Sequence, residues 1–188
     1  MYLIVGLGNP EVEYDKTRHN MGFHVINQLA KEHDIELTRN KFYGIYGTGV
    51  ICEKKVVLLK PQTYMNLSGE SIIKFKQFYK IENKNIIVTY DDIDIKPGEI
   101  RIKRKGSPGT HNGMKSVVNA LNSDEFTRVR VGIGKPLENV DLIYHVIGAV
   151  QDEEWIALEQ GKNKAKKAIE TILKDGIEVA MNLYNQRG

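Results

Sequence analysis

The sequence predicts a single α/β domain spanning residues 1–188, on three observations. Two continuous apolar runs, "YLIVGL" (2–7) and "NIIVTY" (85–90), read as strands buried on both faces. Segments of helical period alternate with strand segments along the chain, as in mixed α/β domains. The 188 residues suit one sizeable core, and no internal repeat, low-complexity tract or interdomain linker divides them.

The elements follow in order. After 2–7, "NMGFHVINQLAKEHD" (20–34) is a helix that Asn20 can cap, with Phe23, Ile26 and Ala30 on one side. "YGIYGTGVI" (43–51) is a further strand, expected at the sheet edge, and "KVVLLK" (55–60) is another buried one. A helix begins at Ser68 and covers 68–80, ahead of the strand 85–90. "EIRIKRK" (99–105) and "TRVRVGIG" (127–134) alternate, one face apolar and the other basic, and "NGMKSVVNALN" (112–122) is a helix between them. The helix 151–174 carries lysines 162, 164, 166 and 167, expected on a solvated face, and 176–186 continues it after a break at Gly176.

The first strand runs into Gly6-Leu7-Gly8, a Gly-x-Gly that invites comparison with a dinucleotide-binding turn. That fingerprint needs a third glycine and an immediate helix N-terminus to hold pyrophosphate. Here Glu11 follows Pro10, and the next helix signal comes near Asn20. The glycines are therefore expected to turn the chain sharply and present Asn9.

Composition narrows the class further. Net charge is +3, with 41% hydrophobic and 27% charged residues, so the distribution of charge has to decide about nucleic acid. No apolar run is long enough to span a bilayer, and the first residues lack the basic and apolar regions of a secretory signal. A single cysteine, Cys52, excludes an intrachain disulfide and fits a reducing cytosol. The histidines, at 19, 24, 33, 111 and 145, show no HExxH or His/Cys spacing, and no G-x-S-x-G elbow is present. Neither a metal nor a cofactor is expected.

Polar residues collect after the predicted strands, where open α/β sheets bind ligands. They are Asn9 after 2–7, Tyr64 and Asn66 after 55–60, and Asp91 after 85–90. Asn112 opens a helix, and His19, in "TRHN", precedes one. A lone histidine near a cap is more often structural, and a lone asparagine more often forms a turn or cap.

Together, "IVGLGNPEVEYDKTRHNMGF", "LLKPQTYMNLSGESI", "VTYDDIDIKPGEIRIKRKGSPGTHNGMKSV" and "FTRVRVGIGKP" resemble bacterial peptidyl-tRNA hydrolases over essentially the whole chain. The resemblance implies one α/β domain with a mixed, twisted central sheet flanked by helices. It implies hydrolysis of the ester between a peptide and the 3′-terminal ribose of tRNA, in the cytoplasm and without a membrane. It also implies His19 as catalytic histidine, supported by Asp91. Tyr14, Tyr64, Asn66 and Asn112 match positions that contact the tRNA 3′ end or the peptide backbone. Asn9 matches the residue that separates blocked from unblocked aminoacyl-tRNA, while Arg101, Lys103 and Arg130 resemble a contact surface for tRNA phosphate. One loop departs from the pattern: "SPGTHNG" has Pro108 and Thr110 where small residues are usual, which would stiffen a gate over the cleft.

The chemistry is coherent. Histidine, with an ordinary pKa of about 6.5, is the natural base for activating water. A carboxylate on its other ring nitrogen fixes the tautomer and stabilises the imidazolium. Neutral asparagines suit a peptide main chain. On this reading Asp92 or Asp94 only caps a loop, His111, next to Asn112, could enter the site but ranks as structural, and Cys52 is inert. The alternative is an RNA-binding module on the same fold without turnover. A monomer is the default expectation.

Overall fold

A computed structural model of the chain describes residues 1–185. In chain order its main elements are strand β1 (Tyr2–Gly6), helix α1 (Met21–Glu32), strands β2 (Arg39–Lys41), β3 (Gly44–Ile51) and β4 (Lys54–Pro61), helix α2 (Ser68–Tyr79), strands β5 (Ile86–Asp92) and β6 (Ile100–Lys103), helix α3 (Asn112–Leu121), strand β7 (Thr127–Gly132), and helices α4 (Leu142–Ile147), α5 (Asp152–Asp175) and α6 (Ile177–Tyr184). Gln186, expected to end the last helix, lies outside the described residues. No described helix is long and apolar enough to cross a membrane.

The strands form one mixed sheet in the order β2-β3-β4-β1-β5-β7-β6. β4, β1, β5 and β7 are parallel, whereas β2, β3 and β6 join antiparallel. Ile4 of β1 lies beside Leu58 and Ile87, and Leu3 beside Val57 and Ile86. Ile4 and its neighbours face α1 and α5, against Val25, Leu29, Leu158 and Ile169. Leu3 and its neighbours face α2 and α3, against Ile72, Phe75, Met114 and Val117. Helices on both faces explain why these strands read as unbroken apolar runs. The chain order reverses around β1, so the carboxyl ends of β1 and β5 flank the crevice where such sheets bind ligands.

Both edges differ from expectation. The strand predicted at the edge, β3, is covered by β2, three exposed polar residues joined to it by a two-residue turn. Phe42 and Tyr43 of that turn both have positive φ, +48° and +59°, the conformation of a type I′ hairpin. At the other edge, β6 covers only part of 99–105 and leaves Lys105 beyond the strand. The Asn185 side chain closes this edge: its Oδ1 accepts from the Ile102 N–H at 2.7 Å, and its Nδ2 donates to the Ile102 carbonyl at 2.9 Å. This satisfies backbone groups that a bare edge would leave open for another strand.

The lysine face of α5 is only partly solvated. Lys164 and Lys167 are exposed, but Lys162 pairs with Glu159 at 2.6 Å, and Lys166 bridges Glu170 and Glu32 at 2.9 and 2.5 Å, tying α5 to α1. The break at Gly176 falls where expected, at φ +94°.

Gly6 and Gly8 do not take positive φ; they make room. A Cβ on Gly6 would lie 2.1 Å from the Gly22 carbonyl oxygen, and one on Gly8 2.7 Å from the Phe23 ring. In return, a Cβ on Gly22 would lie 2.5 Å from the Leu7 nitrogen and the Thr89 carbonyl oxygen. Gly22 thus supplies the close helix–strand approach that the third glycine gives a dinucleotide fold. Gly22→Ala is expected to lower stability by roughly 1–3 kcal/mol, as overpacking against backbone does; urea unfolding of the two proteins measures it.

Candidate functional site

Asp91 is the second-last residue of β5 and is itself 3% exposed. An ionised carboxylate there needs partners. It has two: His19 Nδ1 lies 2.8 Å from Oδ2, and His111 Nε2 lies 2.9 Å from Oδ1. The tautomer of His111 follows from its other nitrogen. His111 is the N-cap of α3, and its Nδ1 accepts the Met114 N–H at 3.2 Å. Nδ1 therefore carries no proton, and Nε2–H donates to Asp91. The His19 and His111 rings lie 4.9 Å apart, and Tyr90 packs edge-on against His111.

These contacts set the electrostatics. Burial alone would raise the pKa of Asp91, but the attraction of His19 and His111 and their hydrogen bonds hold it well below the usual carboxylate range. Burial likewise disfavours a charged His19; the charge and hydrogen bond of Asp91 outweigh it, leaving the His19 pKa above its ordinary value. His19 Nδ1–H donates to Asp91. Its Nε2 has no hydrogen-bond partner among the described residues.

His19 and Asp91 line a cavity of about 270 Å³. Lys103 and Arg130 form a basic wall, Ile93, Leu142, Ile143 and Val146 an apolar one, and the 107–112 loop a third. Arg130 also pairs with Asp92 at 3.1 Å. Asp92 accepts the Asp94 N–H as well, so the loop-capping expectation for Asp92 is met. The loop is tied at both ends: Arg128 Nη2 donates to the Gly106 carbonyl at 2.6 Å, and His111 holds Asp91. Its left-handed residues are Gly106 and Gly109, so Thr110 does not carry that conformation.

The other predicted residues are placed differently. Asn112 lines it and also lines an adjoining groove that contains Asn66. Tyr64, 68% exposed, lies in a further depression. Asn9 follows β1, with its backbone N–H and carbonyl both held by the Asn20 side chain, at 2.8 and 3.0 Å. Asn20 was expected to cap α1; its amide makes this clamp instead, and no side-chain cap bond forms. Tyr14 closes the short turn 12–14, and its carbonyl accepts from Thr17. Arg101 is not among the residues lining the cavity; its guanidinium donates to the Asn185 carbonyl.

Three features escaped the sequence reading. The sharing of Asp91 between His111 and His19 is one, since the position of His111 beside Asn112 shows only that it could enter the site. Arg18 is buried and binds Glu154 through Nε and Nη2 at 2.8 and 2.6 Å, while Nη1 donates to the His145 carbonyl. It thereby pins α4, an unexpected helix that supplies the apolar wall, beside His19. Finally, His19, Asp91 and His111 bring ligand-type atoms within 4.8 Å of one another, a grouping invisible in linear spacing. Both carboxylate oxygens are occupied by imidazole nitrogens, so hydrogen bonding alone accounts for the cluster.

A histidine–carboxylate pair thus stands at the strand ends of a doubly covered α/β sheet and lines a cavity. The chain matches the model of the family described as "Peptidyl-tRNA hydrolase" over residues 3–188, and it belongs to that family. It is 51% identical over 185 residues to the peptidyl-tRNA hydrolase of Alkaliphilus oremlandii, covering 98% of this chain and 100% of that one. It is 52% identical over 185 residues to that of Caldanaerobacter subterraneus, with the same coverage. The crystal structure of peptidyl-tRNA hydrolase from Acinetobacter baumannii superposes with a TM-score of 0.91 at 39% identity, over 97% of this chain and 93% of that one. A purine nucleoside phosphorylase from Toxoplasma gondii, TM-score 0.54 at 10% identity, shares the fold alone.

Proposed function

We propose that this protein hydrolyses the ester linking a peptide, or an N-blocked amino acid, to the 3′-terminal ribose of tRNA, with His19 as general base. The observation that carries the reading is the 2.8 Å contact between His19 Nδ1 and Asp91, which leaves Nε2 free on a residue lining the cavity. A water within reach of Nε2 gives up a proton as its oxygen attacks the ester carbonyl. The resulting imidazolium is stabilised by a carboxylate that is already ionised and needs no reorganisation. His111 holds the second oxygen of Asp91 and so fixes the carboxylate plane. Collapse of the tetrahedral intermediate expels the ribose hydroxyl, which recovers a proton from His19.

The surroundings fit such a substrate. Lys103 and Arg130 offer the cavity's cationic wall to tRNA phosphate, although Arg130 would share its charge with Asp92. Asn66 and Asn112 present neutral amides able to donate to and accept from a peptide main chain. Asn9, fixed by Asn20, offers a neutral group to the blocked amino end, where an ammonium would lose its hydration without compensation. Catalytic geometry at His19 and Asp91 speaks against a binding module without turnover.

His19→Ala should fold normally and lose hydrolysis of N-acetyl-aminoacyl-tRNA by a factor of about 10² or more. Near-normal turnover by the folded variant would remove His19 from the mechanism.

The pH profile tests the pairing. The neutral base is the active form, and its pKa is raised, so activity should fall on the acid side with a midpoint above 6.5. Asp91→Asn removes the opposing charge and leaves burial, which lowers the pKa. The acid limb should therefore move to lower pH while kcat drops. A limb that stays in place would separate Asp91 from the titration of His19.

Lys103→Ala should raise KM for full-length substrate, with kcat little changed, and reduce the salt slope of binding by roughly one. Equal damage on a substrate lacking the tRNA body would make Lys103 structural instead.

A further inference from the structure

Three depressions run together on the molecule. Asn112 lines both the cavity of His19 and the groove containing Asn66. Leu67 and Glu70 line that groove and also a third depression, beyond it, with Pro10, Tyr43 and Tyr64. The first cavity is lined by Lys103 and Arg130 together with Asp91, Asp92 and Asp94, and the groove beyond it by Lys115 and Glu70; the third depression has Glu11 and Glu70 and no lysine or arginine.

Tyr43 is displayed there at a conformational cost. It is 61% exposed, and it occupies the second position of the β2–β3 turn at φ +59°, after Phe42 at +48°. Bulky residues rarely adopt this left-handed backbone, and glycine or asparagine is usual in such turns. Phe42 anchors the turn by packing edge-on against Phe75 and Phe78. The Tyr43 carbonyl accepts the Gln62 N–H at 2.7 Å. The turn is thus held from below while the Tyr43 side chain stands in solvent near the exposed Tyr64.

We infer that Tyr43, with Tyr64, forms a shelf for the residues of the peptide moiety that lie upstream of the esterified one. The inference rests on the ester-hydrolase reading above and extends its substrate site. Continuity through the amides of Asn112 and Asn66 leads a main chain there, and two phenol rings offer stacking and amide contacts to side chains of varied shape. Glu11 and Glu70 oppose a phosphodiester, which would meet carboxylates with no cation, and they favour a basic side chain on the peptide. Peptides of several residues reach the shelf, whereas a single N-acetylated residue does not.

The test compares two substrates with the same esterified residue on the same full-length tRNA, one N-acetylated and one carrying a five-residue peptide. The variant is Tyr43→Gly, since glycine accepts the left-handed backbone and preserves the turn. Tyr43→Gly should lower kcat/KM on the longer substrate by roughly 2- to 12-fold more than on the shorter one, and Tyr43→Phe should restore most of that difference. An equal loss on both substrates, or no loss on either, overturns the shelf. So does a loss that vanishes when the tRNA is trimmed to its acceptor end, because the side chain would then be reading nucleic acid. A separate measurement follows NMR shifts of the intact protein on adding an N-acetylated five-residue peptide amide. Shifts at Tyr43 and Tyr64 without any hydrolysis of tRNA esters would uphold the shelf and sink the hydrolase reading; hydrolysis without such shifts would do the reverse.

Discussion

One carboxylate, buried near the end of β5 beside the central strand, governs this molecule. Asp91 cannot sit there unpaired, because a desolvated anion costs several kcal/mol. Two imidazoles meet the demand, one from the segment before α1 and one from the N-cap of α3. Neither ring can move without leaving a carboxylate oxygen bare. The stability of the buried end of β5 and the orientation of the base are therefore a single problem with a single solution. The solution is asymmetric. His111 uses its remaining nitrogen as a helix cap, whereas His19 leaves its own without a partner among the described residues, on the cavity wall.

Polar side chains elsewhere do the work that a larger protein leaves to its backbone. The Asn20 amide holds Asn9 as a neighbouring strand would, and the Asn185 amide does the same for Ile102.

Legibility followed burial. β1, β4 and β5 could be read because both faces are covered, and Asn9, Asn66 and Asp91 follow or close these strands as expected, while their assignment to a site came from the resemblance. β2 could not be read: Arg39, Asn40 and Lys41 are exposed and polar, and the turn after them uses aromatic residues where Asn-Gly would signal a hairpin. α4 has six residues and buries none, so no periodic face marks it. The Asn20 clamp was hidden because a residue ahead of a helix looks like a cap whichever way its amide turns. His111 was undervalued for a related reason: its role depends on Asp91, 20 residues away in sequence, and spacing cannot show that distance closing to 2.9 Å. Motif resemblance pointed to His19 and Asp91, and the fold adds that the carboxylate is shared with His111.

The bidentate bond between Arg18 and Glu154 joins residues 136 positions apart. A chain made from its amino end at roughly 5–20 residues per second waits about 7–27 s between the two. During that interval the wall beside His19 does not exist, and the sheet face that α5 will cover stays open to water. A nascent copy thus carries an uncovered apolar sheet face until α5 is made, and a ribosome stalled before Glu154 would hold a chain whose Arg18 guanidinium still lacks its carboxylate partner.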